Sequence, residues 1–454
     1  MPASNNLISF LLQDFFQTVL PGVSGFIVRR DMELGVPPKP RVGSNAKVIT
    51  GMRRSGKTFR IYQEILDLMN AGVPPERICY FNFDDDRVRP DNATLVARVL
   101  EAFYTLHPQA RSQGAFVFFD EVQDIEGWDI VARRLLDTEK VSMYVTGSSS
   151  RLLSDDIATE FRGRSVAYEL APYSFREFLR NRNEEPSSSE VAGNKETASL
   201  LRHELLDYLK CGGFPAVQAL SDFERIQTLQ TYAQLVVARD VVERQGFANA
   251  AYARTLARAA VTSSARDFSI SRMDAKGRQG GYTPGRAAIS NLVDAFEDAH
   301  LVYQVYDFTY SAQKSRLGGL KLYAQDPGLY SAMMPAADDA RTFALETAVY
   351  LELRRRRASG RLGDIAMLKL KSGKEVDFVE GDALLDTATR LVQVSFSIES
   401  KKTLAREVSA LREAMKRFGV HESWVVTFDE EQRLSFPEGA VHVVPAWRWL
   451  LDES

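Results

Sequence analysis

A chain of 454 residues exceeds what one hydrophobic core normally organises and points to about three domains. Its 45% hydrophobic and 26% charged residues exclude a disordered or fibrous chain, and a formal net charge of −3 gives no overall attraction to nucleic acid, so any such contact must come from a local basic patch. Cys79 and Cys211 are too few for a disulfide framework or a cysteine-rich metal centre and read as small buried side chains.

Residues 1–40 read as an amphipathic helix, with Leu7, Phe10, Leu11, Phe15, Phe16, Val19 and Leu20 at helical spacing, then Pro/Gly breaks and the linker GVPPKPRVGSN. Asp14 inside the apolar run, with no basic stretch before it, argues against a secretory signal. No run of about 20 apolar residues is evident, so no membrane contact and a cytoplasmic location are expected. From Lys47 short apolar runs alternate with helices: KVIT, a helix from Lys57 to near Asn70, ICYFNF, a helix from Thr94 to near Tyr104, AFVFF, SMYVTG and VAYELA. That alternation, continuing to near residue 170, predicts a mainly parallel α/β sheet covered on both faces.

Residues 172–245 look helical, interrupted by the polar EEPSSSEVAGNKE, expected to be a mobile loop, and by a Gly-Gly-Phe-Pro turn at 212–215. Residues 251–310 hold short helices, the basic Gly-rich stretch KGRQGGYTPGR and the strand-like LVYQVYDF, a succession compatible with a winged helix. The last segment opens with a helix from Phe343 to Arg357 and continues with strand-like IAMLKL, EVDFVE, RLVQVSF and ESWVVTF, a separate α/β domain.

GMRRSGKT at 51–58 fits the phosphate-loop pattern G-x-x-x-x-G-K-[ST] directly after a strand and at the start of a helix. Gly51, Met52, Arg53, Arg54, Ser55 and Gly56 would curl so that backbone N–H groups face phosphates, Lys57 would reach the β and γ oxygens of ATP, and Thr58 would offer its hydroxyl to Mg²⁺. FVFFDE at 116–121 is a buried strand delivering two carboxylates at the end where open α/β sheets bind ligands. Asp120 would hold the Mg²⁺ shell and Glu121 would orient or deprotonate the attacking water.

On VITGMRRSGKT, ICYFNFDDDR, FVFFDEVQDIEGWDIVARRLLD, YVTGSSSRLL, FRGRSVAYELAPYSFREF, GGFPAV, LYAQDPGL and KSGKEVDFV, in that order over nearly the whole length, the chain resembles the prokaryotic, archaeal-type AAA ATPases that carry a C-terminal domain of unknown function. The resemblance implies an AAA+ P-loop core (41–171) after an N-terminal helical segment (1–40), then a helical lid (172–247), a winged helix (248–335) and a C-terminal α/β domain (336–454) resembling the PD-(D/E)XK restriction-endonuclease fold. In AAA+ order, Ser148 or Ser149 would sense the γ-phosphate or else cap a helix, and Arg162 or Arg164 would be an arginine finger acting on a neighbouring subunit, so a homo-oligomer such as a hexamer is implied.

Nucleases of the implied C-terminal fold hold Mg²⁺ with a helix Glu, a strand Asp and a further residue two before a Lys. Here these positions read Glu346, Asp377 and Gln393, and Ser395 stands where the lysine belongs, with Lys401 or Lys402 the substitutes at hand; a degenerate domain kept for binding is favoured over an active nuclease. The basic run Arg354 to Arg357, with Lys369, Lys371 and Lys374, reads as a solvated face or as a phosphate contact together with Arg272, Lys276, Arg278 and Arg286. The functional expectation is an oligomeric ATPase acting on duplex or branched DNA; the alternatives are a nucleotide-controlled signalling switch of the STAND kind and an ATP-dependent nuclease.

Overall fold

Five parallel strands carry the first compact unit, formed by residues Met1–Ala171 with Asp298–His300, in the computed structural model. Residues 4–37, 39–88, 94–148, 161, 163–193, 195–243, 247, 249–309, 319–334, 340–358 and 363–452 are described. β1 (Ala46–Thr50), β2 (Ile78–Asn82), β3 (Ala115–Asp120), β4 (Val141–Gly147) and β5 (Ser165–Glu169) lie in the order β2-β3-β4-β1-β5. β1, β3 and β4 are buried throughout, as their continuous apolar sequences require of central strands. The expected parallel α/β sheet is therefore what forms. β4 separates β1 from β3, which opens a cleft between the loop after β1 and the carboxylates that end β3.

Helices Thr94–Leu106 and Trp128–Thr138 pack one core on one face of the sheet, and Lys57–Asn70 packs a second on the other. The N-terminal helical run joins both: Ile8 and Leu12 enter the first core, Phe15 and Leu20 the second. Phe10 points outward at 54% exposure, although its spacing suggested the buried stripe. The run is also longer than the sequence suggested. Asn5–Phe26 is continuous over 22 residues and apolar enough, by length and composition, to cross a membrane. Pro21 fails to break it because it occupies the first turn of Leu20–Val23, after a π-helical turn Phe15–Val19, where no backbone N–H is needed.

The second unit comprises Pro172–Glu297 and Leu301–Ser454. Its helices Phe175–Asn181 and Asp222–Val236 each begin with a reciprocal Ser/Glu capping box, Ser174 with Glu177 and Ser221 with Glu224. The stretch expected to be a mobile loop contains the helix Ser188–Gly193. Its polarity hid a local start signal: the Ser187 amide and hydroxyl both donate to Glu190 Oε2, each at 2.7 Å. The Gly-Gly turn is fixed from a distance in sequence. Gly213 N–H donates to the buried Asp326 carboxylate at 2.6 Å, and Asp326 also caps the helix Pro327–Met333 by accepting from Gly328 N–H at 2.8 Å. A Cβ on Gly328 would lie 2.3 Å from Cys211 O, and one on Gly213 2.2 Å from Tyr173 O, so only glycine lets these backbones touch.

Helix Ala250–Thr262, β6 (Arg266–Asp267), helices Ile270–Gln279 and Arg286–Asp298, β7 (Val302–Tyr306) and β8 (Leu320–Ala324) follow, the strands forming an antiparallel sheet β6-β8-β7. Helix Ala340–Ala358 then leads into β9 (Asp364–Lys369), β10 (Glu375–Asp382) and β11 (Thr387–Val394), an antiparallel meander. After helix Lys401–Phe418, β12 (Glu422–Thr427) pairs parallel to β11, and β13 (Gln432–Phe436) and β14 (Gly439–Pro445) complete a sheet of order β13-β14-β12-β11-β10-β9.

The basic run at the end of Ala340–Ala358 is not a solvated face. Arg354 lies over the Tyr303 ring at 4.0 Å, Arg355 donates to Pro172 O at 3.2 Å, and Arg356 lies over Trp449 at 4.2 Å and donates to Glu352 Oε1 at 3.2 Å. Arg357 pairs with Asp364, and Lys369 and Lys374 with Asp267 and Glu413. Apolar stems and planar guanidinium groups let arginines at a helix end pack inward, which a charge count does not reveal.

Candidate active site

β1 ends at Thr50 and the chain turns at once. Gly51 has φ 151° and no room for a side chain, since a Cβ would lie 2.2 Å from Leu170 O. Arg54 and Gly56 adopt left-handed conformations, Ser55 N–H donates to Met52 O at 3.1 Å, and helix Lys57–Asn70 starts immediately after. The loop thus wraps around Lys57, whose side chain is 2% exposed and whose ammonium donates to Gly51 O at 3.1 Å and stands 3.3 Å from Glu121 Oε1. Ser55 Oγ and Thr50 Oγ1 are buried at the same loop and have no hydrogen-bond partner among the described residues. Orphaned donors around a Gly-Lys-Thr turn fit a polyanion.

Asp120, fully buried at the end of β3, accepts from the hydroxyl of Thr146 at Oδ1 and from that of Tyr80 at Oδ2, the latter at 3.0 Å; Thr58 is a further hydrogen-bond partner. Burial first, then the neighbouring Glu121, pushes its carboxyl up to about 6 against these hydroxyls. Glu121 adopts a left-handed conformation at φ 55°. Burial opposes its charge, but Lys57, the Gln123 amide and Arg53 together hold its carboxyl below the usual range. The Gln123 amide donates to Glu121 Oε2 at 2.8 Å, and Thr146 Oγ1 accepts from Glu121 N–H at 2.9 Å, so one hydroxyl ties the Asp120 carboxylate to the backbone of Glu121. Thr58 and Asp120 are the side chains that would hold Mg²⁺.

Lys57, Thr58, Asp120 and Glu121 therefore meet as the sequence suggested. Ser148 is buried just beyond β4, whereas Ser149 and Arg162 lie outside the described residues. Arg164 precedes β5, its carbonyl bonded to Ala46 at the start of β1, and its guanidinium pairs with Asp137. That is the end of the strands opposite the phosphate loop, which follows the other end of β1, so within its own unit Arg164 does not reach Lys57. Thr146 and Tyr80 were missed. The signal for Thr146 was the register, since pairing Phe119 with Val145 puts it beside Asp120; Tyr80 gave none, because it reads as one more aromatic of a core strand.

In the second unit Glu346 and Asp377 do come together, but Gln393 does not join them. Its side chain accepts from Asp377 N–H at 3.2 Å and donates to Glu407 Oε2 at 2.9 Å. Lys401 and Lys402 are exposed in the first turn of their helix. The ammonium between the acids belongs to Lys321 of β8, at 3.3 Å from Glu346, 2.6 Å from Glu375 and 3.3 Å from Asp377. Burial pushes the Glu346 carboxyl up to about 8, with Lys321 opposing. A third acidic group, His203, Glu204 and Asp207, is already engaged, since Arg182 pairs with Glu204 at 2.6 Å and with Asp207 at 3.0 Å.

A family model described as an AAA domain matches residues 43–179, and one described as a domain of unknown function (DUF8612) matches 202–340. The latter lies in the middle of the chain rather than at its C-terminus, where such a domain was expected. Over 438 residues the chain is 30% identical to the uncharacterized protein MJ1544 of Methanocaldococcus jannaschii, covering 94% of this chain and 91% of that protein. It is 26% identical over 355 residues to an uncharacterized protein of Haemophilus influenzae, covering 78% and 82%. Among solved structures, the Walker-type ATPase PABY2304 of Pyrococcus abyssi is similar at 13% identity and a TM-score of 0.38, over 64% of this chain and 91% of that one.

Proposed function

The chain belongs to the family of AAA-domain proteins that includes MJ1544 of Methanocaldococcus jannaschii, and from that premise we propose that it hydrolyses ATP and spends the cycle on DNA as a cytoplasmic homo-oligomer. The observation that carries the hydrolytic reading is the convergence of Lys57, Thr58, Asp120 and Glu121 at one end of the sheet, tied together by Thr146. Bound Mg²⁺ would neutralise charge on the β and γ phosphates. Lys57 has labile partners, two loop carbonyls and Glu121, which it can exchange for phosphate oxygens. That exchange frees Glu121 to accept a proton from water, while Gln123 and Thr146 keep it aimed.

DNA contact is supported by Arg272, Lys276, Arg278 and Arg286, all exposed on helices Ile270–Gln279 and Arg286–Asp298. The helix–strand–helix–helix–strand–strand order around them agrees with a winged helix. Arg164, at the end of the strands away from the phosphate loop, is suited to a neighbour's site and not to its own, which favours an oligomer. The helix, antiparallel meander, helix and parallel strand from Ala340 to Thr427 agree with a nuclease-like fold, while Ser395 and the engaged Gln393 speak against cleavage.

Turnover measured with duplex, branched and single-stranded DNA over a salt series tests the DNA reading. Stimulation that fades with salt, and weakens with Arg272→Ala, Lys276→Ala and Arg278→Ala combined, is expected. ATP hydrolysis indifferent to all three DNAs, with an oligomer size that changes between ADP and an ATP analogue, would overturn it in favour of a nucleotide-controlled switch.

A further inference from the structure

We infer that Lys321 is a built-in cation that fills the carboxylate cluster of the second unit and keeps divalent ions out of it. Glu346 reaches the cluster from helix Ala340–Ala358, and Glu375 and Asp377 reach it from β10. Glu346 and Asp377 are no more than 7% exposed, and acids gathered out of water repel one another unless a cation lies between them. The cation here is an ammonium within 3.3 Å of all three acids, delivered by β8 of a different sheet.

The rest of the local hydrogen bonding agrees with an ammonium. Tyr323, two residues along β8 and so on the same face as Lys321, donates its buried hydroxyl to Glu346 Oε1 at 2.8 Å. Asp377 Oδ2 accepts from Val394 N–H at 2.9 Å, and Gln393, a further oxygen donor within reach of Asp377, is held by Asp377 N–H and Glu407. A divalent ion needs several oxygens free to turn towards it, whereas here both oxygens of Asp377 are engaged and Lys321 draws one each from Glu346 and Glu375. A tethered ammonium also competes without dilution, since its own strand holds it in place. The cluster then works as a buried clasp between the sheet β6-β8-β7 and the six-stranded sheet, and the second unit has no metal-dependent hydrolytic centre at this point.

The test is Mn²⁺ binding, followed by electron paramagnetic resonance, on the full-length protein without nucleotide. The wild type should take up no Mn²⁺ that depends on Asp377. Lys321→Ala should gain a bound ion, Lys321→Ala combined with Asp377→Asn should lose it, and Lys321→Arg, which keeps a cation in place, should stay closed. Wild-type Mn²⁺ uptake abolished by Asp377→Asn would overturn the inference, and that arm stands even if Lys321→Ala does not fold. A folded Lys321→Ala protein that gains no ion would overturn it equally. The ATPase reading is untouched by either result, because nucleotide is absent and Asp120 is unchanged.

Discussion

Replacing Tyr80 by Phe removes one buried oxygen and almost no volume. The Tyr80 ring, stacked on Phe15 at 4.0 Å between centroids, should keep its place, and what disappears is the 3.0 Å hydrogen bond to Asp120 Oδ2 and the 3.2 Å contact with the Tyr62 hydroxyl. A hydrogen bond to a charged buried group contributes roughly 1.5–3 kcal/mol. The loss falls on the ionised form of Asp120, whose carboxyl burial and Glu121 already hold at about 6. At 1.36 kcal/mol per unit, the carboxyl should rise by about one to two units, into the neutral range. Protons then compete with Mg²⁺ for Asp120 at pH 7. Steady-state ATP hydrolysis titrated with Mg²⁺ should show half-saturation shifted up by about two- to tenfold at pH 7. The shift should largely vanish at pH 8.5, where Asp120 is ionised again, with kcat at saturating Mg²⁺ close to wild type. A variant that melts like the wild type and shows the same Mg²⁺ dependence at both pH values would refute the role given to Tyr80.

Glu121→Gln keeps the bulk of the side chain but cannot accept a proton, so ATP binding by calorimetry should persist while kcat falls by about 10²–10⁴-fold; hydrolysis at the wild-type rate would mean that the base lies elsewhere. Gly328→Ala puts a methyl group 2.3 Å from Cys211 O and 2.7 Å from Gly212 N, both backbone atoms. The melting of the second unit should then show a loss of roughly 3 kcal/mol or more, while Gly25→Ala, with nothing within 4 Å, should change stability by less than about 0.5 kcal/mol. Glu346, with its carboxyl at about 8, binds its proton more tightly folded than unfolded. Its stabilisation is complete below the unfolded value of about 4.3 and is lost as pH rises through about 8. The second unit should therefore melt lower at pH 9 than at pH 7, and Glu346→Gln should flatten that slope; an unaltered slope would show that Glu346 is not the group responsible.

The first unit was legible because its signals are local. Apolar runs such as FVFF and MYV, short and bounded by polar residues, suit the interior of a sheet, and GMRRSGKT fixes the loop and the helix start within eight residues. Elsewhere composition misled, or the partner lay too far along the chain to be seen. Ser188–Gly193 looked like a flexible linker because its composition is polar, though a Ser/Glu pair three apart was there to start a helix. The turn at Gly212-Gly213 was recognised, but nothing nearby indicates that Asp326, more than a hundred residues later, holds it.

The same contrast separates the two acidic sites. At the nucleotide site Lys57 and Asp120-Glu121 each belong to a contiguous motif, and the spacing of strand, loop and helix leaves only the β4 register to supply Thr146. In the second unit β11 and the following helix offer only Ser395 and the two exposed lysines Lys401 and Lys402, where the cation would stand if it travelled with its acids. An ammonium on a flexible four-carbon stem need only arrive within about 4 Å from any direction. Lys321 arrives from a sheet whose strand LKLYA is otherwise apolar, where a charged residue looks like an interruption. Such a lysine in a buried strand carries information for that reason: it cannot stay charged there without acids facing it, so Lys321 and the nearby Tyr323 already implied a carboxylate partner somewhere in the fold.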